Sequence, residues 1–110
     1  MASKAKGSVV LSSGNVFRDL GLKDAEEKKT KVRLAVAIND ILDRASLRQA
    51  HAAERLGVNQ PKISALRNYR LEGFSVERLM SFLNALGRDV EIVIRRPRSR
   101  REPRIHVTAA

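Results

Sequence analysis

The spacing of apolar residues along the chain predicts a succession of amphipathic helices. Five apolar residues recur at helical intervals and form one stripe: Leu34, Ile38, Ile41, Leu42 and Ala45. This stripe predicts a long helix from residue 24 to about residue 45. The same reasoning predicts three shorter helices, over residues 47–56, 60–68 and 76–86. The chain is therefore expected to be all-α over most of its length.

Residues that favour helix ends stand at the predicted boundaries. Ser46, Asn59 and Ser75 precede the three shorter helices and suit the N-cap position, where a side-chain oxygen accepts from a free backbone N–H. Gly57 and Gly87 follow two of these helices, where glycine accepts the left-handed conformation that ends a helix. These residues predict short, well-delimited helices joined by tight turns.

The periodicity of the chain changes after Gly87. Val90, Ile92 and Ile94 alternate with other residues, a spacing typical of a β-strand. A lone strand leaves its backbone N–H and C=O groups unpaired, so it needs a partner. Two partners are open: residues 8–11 of the same chain, and the same strand of a second copy in a homodimer. We favour the homodimer.

Composition divides the 110 residues into three parts. Residues 1–14 are rich in Ser, Lys and Gly, and we expect them to be flexible. Residues 15–95 hold the predicted strand and four or five helices, the fifth being a short turn over residues 15–21, and we expect one compact domain. Residues 96–110 contain several Arg and two Pro, which predicts a disordered basic tail.

The charge balance indicates a polyanionic partner. Lys and Arg number 22 against 12 Asp and Glu, so the net charge is +10. Such an excess is typical of proteins that bind nucleic acid or an anionic membrane surface. Residues 95–104 contain six Arg and one Glu and supply half of that charge, so the tail is not the whole explanation. The tail is either a nonspecific clamp on phosphates or a solvated end without function.

Several function classes have no support in the sequence. Absence of Cys excludes disulfides and thiol nucleophiles, and His51 and His106 match no metal-ligand spacing. No run of 18 apolar residues is present that would span a membrane. No acid–base pair stands near a glycine-rich loop, as catalysis would require. We expect a cytoplasmic protein that is not an enzyme and uses no cofactor or metal ion.

Residues 49–68, QAHAAERLGVNQPKISALRN, describe two short helices joined by a tight turn. The small side chain of Ala53 lets the helices cross closely, Gly57 redirects the chain, and Ile63 and Leu66 point towards the core. Six polar or small residues remain outward on the second helix: Gln60, Lys62, Ser64, Ala65, Arg67 and Asn68. An ordinary corner between two helices has the same spacing, but the excess of Lys and Arg around this one favours DNA binding.

This spacing resembles the helix-turn-helix of the XRE (phage-repressor-like) family. More narrowly, AAERLGVNQPKISALRN, followed by FSVERLMSFLNALGRDVEIVIR, is similar to HigA-type antitoxins, and the resemblance extends over about residues 13–96. It implies an XRE-type domain that binds double-stranded DNA at an inverted-repeat operator and represses transcription. It further implies the autoregulating antitoxin of a toxin–antitoxin operon, and a solitary XRE-type or phage-like regulator stays the alternative.

The resemblance also implies roles for individual residues. Four residues fall where a recognition helix contacts bases: Asn59, Gln60, Ser64 and Ala65. Five fall where phosphates are contacted: Arg48, Gln49, Lys62, Arg67 and Asn68. An apolar cluster is available to a RelE-like ribonuclease toxin: Val16, Phe17 and Leu20.

Two residues depart from the family's pattern. Pro61 replaces a residue that often contacts DNA. Tyr69 follows Asn68, whereas the family often ends this helix with glycine. Either the helix runs longer, or Asn68 is its left-handed cap.

Overall fold

Four α-helices form the regular structure of residues 22–109, the part of the chain that this computed structural model describes. They are α1 (Leu22–Ala45), α2 (Gln49–Leu56), α3 (Gln60–Arg67) and α4 (Val76–Ala85). The regular structure of this range is thus entirely helical, which agrees with the predicted helices and differs from the prediction at the C-terminal strand. The predicted turn over residues 15–21, with the apolar cluster Val16, Phe17 and Leu20, lies outside the described residues. None of the described helices is long and apolar enough to cross a membrane.

Local sequence explains how α2, α3 and α4 are delimited. The Asn59 side chain accepts a hydrogen bond from the backbone N–H of Lys62 at 2.9 Å, and the Ser75 hydroxyl accepts from that of Arg78 at 3.0 Å. Gly57 has a φ of +71° and ends α2 in the left-handed conformation, as Gly87 does after α4 with a φ of +82°. The predicted caps and glycine stops at these positions are confirmed.

Ser46 does not cap the second helix, contrary to the prediction. Helix α2 begins at Gln49, and Arg48 holds its N-cap position without a side-chain hydrogen bond. Ser46 instead has a φ of +54°, and its N–H donates to the carbonyl of Asp43 at 3.1 Å. It therefore ends α1 in the left-handed conformation, so its backbone cannot take the extended geometry that an N-cap needs.

Helix α1 packs against α3 and α4, and α2 packs against the same two helices. Four large side chains are fully buried at the centre: Ile38, Ile63, Leu66 and Leu79. Phe74 and Phe82 pack edge to face, with ring centroids 5.9 Å apart, and close the end of the core beside α4. Two of the central residues belong to α3, so the inward side of this short helix is fixed by the core.

The strand predicted at Val90, Ile92 and Ile94 does not form within residues 22–109. The side chains of Ile92 and Ile94 are 74% and 92% exposed, and no backbone–backbone hydrogen bond is made by residues 89–109. A strand needs a second backbone beside it, and the described part of one chain offers none. The intrachain partner considered, residues 8–11, lies outside that part. The prediction of a strand within this range is wrong, and pairing with a second copy stays a prediction.

The end of the described chain returns to the helical domain. Val107 is half-buried and packs against the core, and the Nδ1 atom of His106 lies 3.3 Å from a guanidinium nitrogen of Arg33 on α1. Residues 96–109 contain neither helix nor strand. Their arginines are exposed, whereas residues near 107 contact the domain.

Candidate nucleic-acid interface

The corner between α2 and α3 presents only part of the polar surface that the sequence predicts. Asn59 and Gln60 are exposed at the start of α3, whereas Ser64 and Ala65 are half-buried one turn later. Ala65 also packs against the core. The first turn of α3 is therefore its most accessible part.

The side chain of Asn59 caps α3, which limits the groups it can offer to a ligand. Its side-chain oxygen accepts the N–H of Lys62, which satisfies one of the free donors at the start of α3. The amide nitrogen of Asn59 is then the group with which it can donate to a base. Gln60, the next residue, is exposed, and no described side-chain hydrogen bond holds it within residues 24–109.

The start of α2 has no side-chain cap on its first backbone N–H groups. Arg48 stands at the N-cap position and makes no capping hydrogen bond, and both Arg48 and Gln49 are exposed. The free N–H groups of a first helical turn and the helix dipole both favour an anion at this end. The structure thus brings a cation, an amide and uncapped backbone donors together.

Lys62 contacts the protein as well as the solvent. Its ammonium group donates to the carbonyl of Gly73 at 3.0 Å and lies 4.8 Å from the centroid of the Phe74 ring, a cation–π distance. A Cβ atom at Gly73 would lie 2.7 Å from that ammonium group, so the glycine leaves room for it. Lys62 therefore ties the start of α3 to the loop before α4.

Arg67 faces α1 and forms a network that we term the α1–α3 clamp, made of Asn39, Asp43 and Arg67. One guanidinium nitrogen donates to both the backbone and the side-chain oxygen of Asn39, each at 3.1 Å. The other pairs with the carboxylate of Asp43. Asn39 is only 5% exposed, and its amide donates to the carbonyl of Leu66 at 3.1 Å. The clamp fixes the last turn of α3 against the long helix.

Asn39 has no role in the sequence-based prediction, although the sequence carries a signal. Helix α1 buries Ala35, Ile38 and Leu42, and Asn39 lies four residues after the first of these and three before the last. It is therefore a polar residue within an apolar stripe. A buried amide needs hydrogen-bond partners, and a partner on a neighbouring helix could have been sought for it.

Helix α3 ends differently from both predicted alternatives. The helix stops at Arg67, and Asn68 has a φ of −101°, so Asn68 is not left-handed. Its side-chain amide donates to the carbonyl of Ser64 at 2.8 Å. Tyr69 takes the left-handed conformation with a φ of +59°, which allows the N–H of Arg70 to reach the carbonyl of Ala65 at 2.8 Å.

Uncompensated positive charge surrounds this corner. Among residues 24–109, ion pairs engage Lys31, Arg44 and Arg67, and no carboxylate lies within ion-pair distance of Arg48 or Arg70. The same range holds no group of three or more His, Cys, Asp or Glu suited to a metal ion.

Comparisons with known proteins find helix-turn-helix proteins similar to this chain. A family profile described as a helix-turn-helix domain matches residues 16–95. A solved structure of a protein named as an XRE-family transcriptional regulator is 70% identical to this chain, with a TM-score of 0.76. That match covers 79% of this chain and 99% of the other. No match is found among curated proteins.

Proposed function

The chain belongs to the XRE family of helix-turn-helix transcriptional regulators, which bind DNA, and from this membership we propose that it is a sequence-specific repressor. In this proposal α3 is the recognition helix in the major groove, and the start of α2 lies against a phosphate. A homodimer would place two such helices in successive major grooves of an inverted-repeat operator, with half-sites about one helical turn apart.

The exposed first turn of α3 is the observation that carries the proposal. Asn59 and Pro61 fix where the helix begins, and the burial of Ile63 and Leu66 fixes its rotation. Gln60 then projects a free amide from a rigid support. A glutamine amide can bond in a bidentate manner to the N6 and N7 atoms of adenine. Such a contact distinguishes base pairs because both partners are held in place.

The proposed contacts fall into two groups by what each side chain already does. For base contacts we propose Asn59, Gln60, Ser64 and Ala65, and for phosphate contacts Arg48, Gln49, Lys62, Arg67 and Asn68. Arg48 and Gln49 stand at a helix start without a side-chain cap. Lys62, Arg67 and Asn68 hydrogen-bond within the protein, so they can reach a phosphate only by sharing or exchanging those bonds.

The two glutamines of the chain offer a matched test of this assignment. Fluorescence anisotropy would measure binding to the duplex upstream of the protein's own gene and to a scrambled duplex. We expect Gln60→Ala to weaken binding to the specific duplex by about 1–3 kcal/mol, roughly 5- to 150-fold, and to change scrambled binding little. Gln49→Ala, which removes a proposed phosphate contact, should weaken both alike.

Two outcomes would contradict the proposal at different levels. Equal losses on both duplexes for Gln60→Ala would refute the base contact while leaving DNA binding intact. If the wild-type protein binds the upstream duplex and the scrambled duplex equally well, sequence-specific repression of its own gene is refuted. Specific regulators typically prefer their site a thousandfold or more, so the difference is readily measured.

The homodimer is supported by the segment after α4. Val90 packs against the core, whereas Ile92 and Ile94 are exposed, and residues 89–95 have no backbone hydrogen-bond partner within residues 22–109. Two copies of this segment, paired antiparallel about a two-fold axis, would satisfy each other's N–H and C=O groups and cover these side chains. The alternation of apolar residues at Val90, Ile92 and Ile94 would then be explained by pairing between two copies.

For the biological role we propose the autoregulating antitoxin of a toxin–antitoxin operon, and the second candidate is a solitary regulator. The resemblance to HigA-type antitoxins favours the first, with the cluster of Val16, Phe17 and Leu20 as the contact for a RelE-like ribonuclease toxin. Co-expression with the product of the adjacent gene provides the test. Recovery of a stable complex that silences a ribonuclease supports the antitoxin. A chain recovered alone supports the solitary regulator.

A further inference from the structure

We propose that Tyr69 is a DNA-contacting residue that donates a hydrogen bond from its phenol to a phosphate oxygen at the edge of the groove entered by α3. The inference rests on the proposed function of α3 as the recognition helix. Neither the helix pattern nor the XRE resemblance gives this residue a role.

The backbone at Tyr69 favours glycine over any other residue. Its φ of +59° lies in the left-handed region, where the Cβ atom of an L-residue is crowded. The chain places glycine at the equivalent position after α2 and after α4, at Gly57 and Gly87. Within residues 22–109, only Ser46 and Tyr69 adopt positive φ without being glycine. The conformation itself therefore gives no reason for a tyrosine.

Packing gives no reason for a tyrosine either. The side chain of Tyr69 is 45% exposed and is not part of the hydrophobic core. No hydrogen bond from its hydroxyl is found within residues 24–109. A strained, exposed aromatic residue is destabilising to the monomer, so a use of its side chain outside the monomer would explain its presence. Strain of this kind collects at functional sites, where the surrounding structure holds the residue in place.

The position of Tyr69 indicates what that use is. It follows Asn68, an exposed residue whose amide donates to the carbonyl of Ser64 in α3, and it precedes Arg70, an exposed cation without a carboxylate partner among the described residues. Tyrosine hydroxyls are regular donors to DNA phosphates, and such contacts fix the register of a protein on the duplex. Tyr69 and Arg70 together offer one neutral and one charged donor to the same backbone.

Two glycine substitutions, one a test variant and the other its control, test the proposal. Tyr69→Gly and Ser46→Gly each relieve the same strained conformation, but Ser46, at the end of α1, is not itself among the proposed DNA contacts, of which Arg48 is the nearest in sequence. We expect both to raise the Tm by roughly 3 °C. Only Tyr69→Gly should weaken binding, by about three- to tenfold, and equally on the specific and scrambled duplexes because phosphates carry no sequence.

Tyr69→Phe isolates the hydroxyl, because it keeps the ring and the strained backbone. We expect an unchanged Tm and an affinity lowered by about two- to fivefold. The proposal is overturned if Tyr69→Gly is more stable yet binds as the wild type does, or if Tyr69→Phe binds as the wild type does. If the wild-type protein shows no preference between the two duplexes, the proposed sequence-specific repressor is refuted instead. The phosphate contact of Tyr69 can still be measured in that case, because it is expected on scrambled DNA as well.

Discussion

Replacing Arg67 with alanine should destabilise the domain by about 2 kcal/mol, because the α1–α3 clamp depends on its guanidinium group. The two bonds to Asn39 involve a charged donor and a nearly buried acceptor, for which about 1.5–3 kcal/mol is typical. The Arg67 side chain is 31% exposed, so a value near the lower end applies. The pair with Asp43, whose side chain is 63% exposed, adds less than about 1 kcal/mol.

Asp43→Ala is the matched control, since it removes the exposed half of the clamp alone. We expect it to cost about 0.5 kcal/mol. Urea unfolding followed by circular dichroism at 222 nm would give both values, and the midpoint should fall several times further for Arg67→Ala. A double-mutant cycle with Asn39→Ala should give a coupling energy of about 1–2 kcal/mol, because the two side chains bond directly.

The same variant separates the clamp from a phosphate contact. If Arg67 acts as a clamp, Arg67→Ala lowers affinity through a loosened α3 and leaves the slope of log K against log salt unchanged. If it also neutralises a phosphate, the same loss of stability is accompanied by a fall of about one unit in the slope. Equal destabilisation by Arg67→Ala and Asp43→Ala would refute the argument, since the bonds to Asn39 would then contribute nothing.

Two further predictions concern the chain after α4. Replacing Arg98, Arg100 and Arg101 together with serine should lower the salt slope by about two to three units on every duplex, because each neutralised phosphate releases counterions. Substitution is preferable to deletion here, since Val107 packs against the core, and an unchanged slope would mean that these arginines are merely solvated. Ile94→Glu should convert a dimer to a monomer in sedimentation velocity, because a buried carboxylate in the paired segment is unfavourable. A dimer that survives this change would exclude pairing through residues 89–95.

The parts of the fold that follow from local sequence are those that the sequence predicts well. Asn59 and Ser75 cap their helices because a side chain and a backbone N–H three residues later decide the geometry. The N-cap prediction for Ser46 is wrong because Ser46 instead ends α1: its N–H donates to the carbonyl of Asp43, the N–H of Leu47 donates to that of Leu42, and its φ is +54°. Serine suits an N-cap, but the residue type alone does not show which of two neighbouring helices it delimits.

Features that depend on distant groups are beyond local reasoning. The alternation at Val90, Ile92 and Ile94 is genuine in the sequence, but a strand exists only where a second backbone pairs with it. The clamp joins Asn39 and Arg67, which are 28 positions apart. In the sequence, Asn39 is a polar residue within an apolar stripe, and Arg67 is a cation on a polar helix face. Nothing in either pattern says that they meet.

The candidate interface shows why a polar helix face is an ambiguous guide to DNA contacts. Helix α3 has only eight residues, and a helix of that length is not stable alone, so its orientation must come from the rest of the domain. Asn59 fixes its start, Lys62 ties it to the loop before α4, and Arg67 ties it to α1. Each of these is polar and lies within the motif, so each also looks like a DNA ligand from its sequence. A residue that holds the helix and one that reads the duplex are chemically alike, and the hydrogen bonds within the folded chain distinguish them. Gln60 makes no such bond within residues 24–109 and lies on a helix fixed by its neighbours, so it is the residue on which sequence preference should depend most.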